Sequence, residues 1–169
     1  MKKLLLLFSA LITTIPSIAQ DGKEDNTTTY YLIRHAEKDR SDQDNKNPNL
    51  KQEGLARALE WAETFKDVSF DVIYSTDYNR TRQTAAPTSL RQNKVILLYD
   101  PFELDIEEFK KQTKGKVVLI VGHSNTTPDF ANKLIGKDTY EAMDDSDNAG
   151  LYIVTIVRDI ASSIRLSVN

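Results

Sequence analysis

Two apolar runs, Tyr30-Tyr31-Leu32-Ile33 and Val117-Val118-Leu119-Ile120-Val121, each lead into one of the chain's only two histidines, His35 through Arg34 and His123 through Gly122. Short uninterrupted apolar runs of this kind read as strands buried in a sheet. Both histidines are therefore expected at strand ends, where a sheet hands its chain over to loops. Around these two runs, strand patterns alternate with helical ones: strand 30–34, helix 50–66, strand 71–75, helix 78–91, strand 95–99, a helix near 103–113, strand 116–121 and helix 127–135. The alternation predicts an α/β fold, a three-layer sandwich whose mostly parallel sheet carries helices on both faces. Residues 151–157 and 160–168 flank Arg158-Asp159 and read as a hairpin that adds an antiparallel edge.

Local signals refine these elements. In the helix at 50–66, Leu55, Ala58, Leu59, Ala62 and Phe65 recur at three- and four-residue spacing and form one expected apolar face. Asn49 with Gln52 three residues on resembles a capping box. Thr127-Pro128-Asp129 reads as an N-cap, a first-turn proline and a first-turn acid.

The chain has 169 residues, and its first segment reads as an export signal: Lys2-Lys3, an apolar stretch from Leu4 to Ile15, and Ser17-Ile18-Ala19 as a small-x-small cleavage site before Gln20. The apolar stretch is far shorter than the roughly 20 residues a bilayer needs. Cleavage after Ala19 would leave 150 residues, the size of one domain, with residues 20–29 as a flexible polar lead-in and the domain itself over 30–169. Loss of Lys2 and Lys3 takes the net charge from −3 to −5, which disfavours nucleic acid as a partner. With no cysteine, disulfides, thiolate metal sites and a lipidated leader are excluded. The expected location is periplasmic or secreted, with no stable membrane insertion once the signal is removed.

In a parallel α/β sheet, ligands bind beyond the carboxyl ends of the strands. The two histidines then converge on one crevice, with Arg34 beside the first and Arg80 and Arg82 between them in sequence. Such residues suit phosphoryl transfer, in which charge spread over three oxygens asks the protein mainly for positioning and electrostatic stabilisation. Guanidinium groups grip those oxygens through paired hydrogen bonds, which a lysine ammonium does less well.

The segment Leu32-Ile33-Arg34-His35-Ala36-Glu37 resembles the Arg-His-Gly signature of the histidine phosphatase superfamily, the phosphoglycerate-mutase-like enzymes of branch 1. Two further segments agree in order and spacing: Tyr74-Ser75-Thr76-Asp77-Tyr78-Asn79-Arg80-Thr81-Arg82-Gln83-Thr84-Ala85 and Val121-Gly122-His123-Ser124-Asn125. The resemblance implies that His35 is a nucleophile forming a phosphohistidine, with His123 donating hydrogen bonds to the phosphoryl group. Arg34 and Arg80 are the implied clamps, Arg80 being preferred to Arg82 because it falls in Arg-x-x-x-Thr-Ala. Asp100, in Leu98-Tyr99-Asp100, takes the place of the family's leaving-group acid. Glu103, Glu37 and Asn125 are further residues expected at the substrate.

Departures from the family pattern shape the expectation. Ala36 replaces the usual glycine and would be strained if that position needed a positive φ. The Trp-Glu-Gly segment and long insertions of the mutases are absent, which favours a compact phosphatase without a cap. The acidic groups Asp39, Asp42, Asp44 and Asp144, Asp145, Asp147 do not fit a calcium loop, and two histidines on separate strands give no zinc signature. Neither a metal nor another cofactor is expected. Two function classes follow: an exported phosphatase acting on a phosphorylated small molecule or phosphoprotein, or a non-catalytic protein of the same fold that binds phospholigands.

Overall fold

The structure, a computed structural model, describes residues 27–168. The signal reading of residues 1–19 and most of the lead-in lie outside the described residues. Six strands and four helices alternate: β1 (Thr28–Arg34), α1 (Gln52–Thr64), β2 (Val72–Ser75), α2 (Asn79–Gln92), β3 (Ile96–Leu98), α3 (Ile106–Gln112), β4 (Val117–Gly122), α4 (Thr126–Ile135), β5 (Gly150–Val157) and β6 (Ile160–Ser167). They form one sheet in the order β3-β2-β4-β1-β5-β6. The four strands from β3 to β1 run parallel, whereas β5 and β6 add the antiparallel edge. The β5–β6 turn is Arg158-Asp159, both with positive φ, as the tight hairpin turn that matches strand twist requires.

Period-two alternation on β1 and β4 builds two cores, one on each face. Tyr30, Leu32, Val118 and Ile120 face a cluster with Phe109 of α3 and Phe130 and Leu134 of α4. Ile33, Leu119 and Val121 face Trp61, Phe65 and Phe70 and Ala85 of α2. Trp61 stacks on Phe65 with ring centroids 5.5 Å apart, and Phe65 meets Phe70 edge-on.

Four local expectations are corrected. The face that α1 buries is Gly54, Ala58, Trp61 and Ala62, while Leu55 and Leu59 are 41% and 63% exposed. The buried face is set by Gly54, where a Cβ would stand 2.2 Å from the Glu37 carbonyl oxygen, so only glycine lets the helix approach that backbone. Asn49 and Gln52 make no capping box: the N-cap is Lys51, without a side-chain cap, and Asn49 instead accepts a hydrogen bond from Gln83. Thr127 lies inside α4, whose N-cap is Asn125. β1 starts at Thr28, two residues early, because Thr28 Oγ accepts from the Gly115 backbone N–H and ties the lead-in to the sheet.

Candidate active site

Register alone brings the two histidines together. β1 and β4 are neighbours that pair Arg34 with Gly122, so the next residue of each strand is a histidine. The His35 backbone N–H donates to the Gly122 carbonyl at 2.9 Å, and the two imidazole centroids lie 5.5 Å apart. Gly122 is required by the approach of α4: a Cβ there would meet Thr127 Oγ1 at 2.8 Å and the Tyr99 hydroxyl at 3.1 Å. Ala36 carries no strain, since its φ is not positive, and its N–H donates to Thr84 Oγ1.

Hydrogen bonds assign a tautomer to each imidazole. His35 is buried and its Nδ1 lies 2.7 Å from the Ala36 carbonyl, an acceptor only, so Nδ1 carries the proton and Nε2 keeps its lone pair. His123 Nδ1 faces Arg80 Nη2 at 3.4 Å and accepts from it, which leaves Nε2–H to donate to Thr76 Oγ1 at 2.9 Å. Thr76 passes its own proton on to Thr81. Burial pushes His35 down to about 3, with the Arg34 charge acting in the same direction, and burial followed by Arg80 pushes His123 down to about 4. Both rings are neutral at pH 7.

That neutrality couples the site to stability. The unfolded chain takes up a proton on each histidine near pH 6.5, whereas the folded chain resists until about pH 4 and 3. The folded state therefore binds fewer protons in this window, and the two imidazoles stabilise it fully above pH 6.5 and progressively less as pH falls. Between pH 7 and pH 5 the expected loss is about 1–2 kcal/mol per imidazole. Urea midpoints at the two pH values check this, and an equal drop in a His35→Phe, His123→Phe double variant would refute it.

The two arginines differ in what occupies them. Arg34 is 2% exposed; its Nη1 donates to the carbonyls of Asp144 and Asp147, and its Nη2 to Asp145 Oδ1 at 2.7 Å, while its Nε has no partner among the described residues. Arg34 is thus a staple on the 144–147 loop with its Nε–H to spare. Arg80 lies over the Tyr78 ring at 4.3 Å and has no carboxylate partner among the described residues; its buried Nε and Nη1 find no acceptor. Arg82 is exposed and engaged by Asp77 and Asn79, away from the histidines.

The cleft around these groups has a volume of about 740 Å³. It brings together Arg34, His35, Arg80, His123, Asp100 and Asn125. Asp100 is exposed and its Oδ1 accepts from the Phe102 N–H. Glu103 and Glu37 are not brought to the cleft: Glu103 is exposed beyond it, and Glu37 pairs with Arg57 of α1 at 2.7 Å beside a smaller polar annex. Sequence reasoning missed three residues here. Lys38, three residues past His35 in a segment pinned by a bridge to Leu50, lines the cleft, and burial with Arg40 and Arg80 lowers its pKa. Tyr78 shelters Arg80 and meets His123 edge-on at 5.0 Å. Asp145 bridges Arg34 and Arg40; although partial burial works against ionisation, the two guanidinium groups hold its carboxyl below the usual range. Asp39 and Asp42 cap local turns through Ser41 and Asp44 N–H groups, and Asp147 pairs with Arg165. Among the described residues no group of three or more such ligands gathers as a metal site.

A doubly wound sheet with paired histidines and arginine donors beyond its central strands defines a protein built to receive a phosphoryl group. The model of the histidine phosphatase superfamily (branch 1) matches residues 30–105, the stretch that carries Arg34, His35 and Arg80. Among solved structures, a protein of Agrobacterium tumefaciens assigned as the phosphohistidine phosphatase SixA is similar at 23% identity and a TM-score of 0.60, covering 83% of this chain and 98% of that one. The α-ribazole phosphatase of Shigella flexneri is similar at 15% identity and a TM-score of 0.63, covering 82% and 96%. The protein histidine phosphatase SixA complexed with tungstate is similar at 13% identity and a TM-score of 0.64, also covering 82% and 96%. At these identities the likeness is one of fold. No curated protein matches the chain.

Proposed function

We propose that this chain is a phosphatase that hydrolyses phosphomonoesters or phosphoramidates through a phosphohistidine on His35. One observation carries the reading: guanidinium N–H groups of Arg80 and Arg34 lie buried without acceptors in the cleft of a neutral, tautomer-fixed imidazole. A buried donor without a partner costs about 1–3 kcal/mol. A phosphoryl group supplies acceptors for all of them.

The chemistry runs in two displacements. His35 Nε2 attacks phosphorus, the bond to the leaving atom breaks, and the leaving atom takes a proton, for which Asp100 is the acid in the cleft. The positive charge that develops on His35 is spread through Nδ1–H to the Ala36 carbonyl. Water then attacks phosphorus and gives a proton to the Asp100 carboxylate, the P–N bond breaks, and phosphate departs with the imidazole neutral and the acid restored. Arg80 and His123 hold the equatorial oxygens; a bound dianion raises the pKa of His123 and favours its protonated, doubly donating form. No step calls on a metal ion. Export of the chain is part of the proposal and rests on residues 1–19.

The test is phosphate release from an aryl phosphate in the presence of a chelator, with rapid quenching to capture an acid-labile, base-stable phosphoryl group on the protein. Chelator-resistant turnover with that adduct on His35 is expected, on protein recovered outside the cytoplasm and beginning at Gln20. Turnover without an adduct, or abolished by the chelator, contradicts the covalent metal-independent route.

A further inference from the structure

The carboxyl edge of the sheet has a chemical polarity. Reading along the strand order, the 144–148 loop leading into β5 comes first, then His35 after β1, His123 after β4, Tyr78 after β2, and the Leu98–Phe102 segment after β3. On the β5 side of His35, the polar annex of about 330 Å³ is lined only by polar and charged side chains, among them Lys38, Arg40, Lys51 and Asp145. On the other side, Ser75 pairs with Leu98 and the Tyr99 N–H donates to the Ser75 carbonyl, so the segments that leave β2 and β3 start side by side. Those segments give the cleft Tyr78, Leu98, Tyr99, Pro101 and Phe102.

Three of these side chains have little cover. Phe102 is 83% exposed, Leu98 51% and Tyr78 40%. A single exposed apolar residue is ordinary, but several around one catalytic cleft mark a contact surface. In-line attack places the leaving group opposite His35 Nε2, and the cleft extends from His35 and His123 to the segments that follow β2 and β3. Asp100, the acid proposed for the leaving atom, sits within the same segment.

We propose that Tyr78, Leu98 and Phe102 form a leaving-group subsite selecting phosphoryl compounds whose leaving group is apolar, alkyl or aryl, over those with a polyhydroxylated or charged one. The inference rests on the function proposed above, because it takes the phosphoryl group to sit between His35, His123 and Arg80. Apolar selectivity then follows from burial: each methylene taken from water strengthens binding about fourfold, from ~0.8 kcal/mol per CH2.

Alkylphosphonates test the subsite without turnover. Calorimetry on the full chain compares methyl-, butyl- and hexylphosphonate, whose anionic heads are alike. The expected Kd falls about two- to fourfold per added methylene, and Phe102→Ser reduces the hexyl-to-methyl ratio several-fold. Phe102 is largely exposed, and the ratio is taken within each protein, so a loss of folded protein does not imitate the effect. Equal Kd values across the series, with methylphosphonate bound, overturn the subsite and leave the phosphatase reading intact. A slope unchanged in Phe102→Ser also overturns it. If neither inorganic phosphate nor methylphosphonate binds, the phosphatase reading fails and the subsite with it.

Discussion

His35→Ala is expected to lower phosphate release by at least about a thousandfold, the scale on which loss of a covalent nucleophile acts, while phosphate binding falls far less. The split is expected because in the proposed route His35 supplies the attacking lone pair, whereas the donors free to hold oxygens are on Arg80, Arg34 and His123. Thr84, which accepts from the Ala36 N–H, and Asn148, which donates to the His35 carbonyl, hold the backbone here rather than the side chain. The loop should therefore survive the substitution. Single-turnover kinetics and calorimetry with inorganic phosphate, on the same preparation, separate the two effects. Residual release within tenfold of wild type would mean that phosphorus is attacked by something else.

Arg80→Ala is expected to weaken phosphate binding by about a hundredfold or more, since charge-assisted hydrogen bonds to buried donors contribute roughly 1.5–3 kcal/mol each. Its effect on the unliganded fold should have the opposite sign. Arg80 keeps Nε and Nη1 buried without acceptors and has no carboxylate opposite among the described residues, so removing it relieves a cost that offsets its one long hydrogen bond to His123 and its contact with Tyr78. The thermal midpoint without phosphate should stay level or rise, while the upward shift that phosphate gives the wild type should vanish. Arg34→Ala makes the contrast: its guanidinium holds two carbonyls and Asp145 from a fully buried position, and its loss should lower the midpoint first. An Arg80→Ala protein that melts early yet still binds phosphate would reverse the assignment of the two arginines.

Much of this arrangement is legible in the sequence because it depends on strand ends. A short apolar run announces a buried strand, and the residue after it must emerge at the sheet's edge; His35 and His123 needed only that, plus the parallel pairing that sets them side by side. The preference for Arg80 over Arg82 came from motif spacing, and the helical period agrees: Arg80 turns to His123 and Arg82 to solvent. What stayed hidden depends on packing between distant segments. Nothing local distinguishes Leu55 from Trp61 as the buried member of α1; that choice is made where Gly54 meets the Glu37 backbone. Glu37 looks like a site residue by proximity to His35, yet the chain turns its carboxylate to Arg57. Asp145 reads as one of a solvated acidic run, and its bond to Arg34 spans 111 positions, a pairing no motif records.

The central place of β4 in the sheet also fixes when a growing chain can gain its chemistry. β4 lies between β1 and β2, so until residues 117–122 have been made, the strand that carries His35 has no neighbour towards β2, and β5, its other partner, is later still. Contacts that close loops of this length are slow to form and reward the chain only on completion. The amino-terminal two-thirds, although it already contains His35 and both arginines, therefore emerges from synthesis without an assembled cleft. Competence to react arrives late and all at once, when β4 slots in and the 144–148 loop is latched onto Arg34.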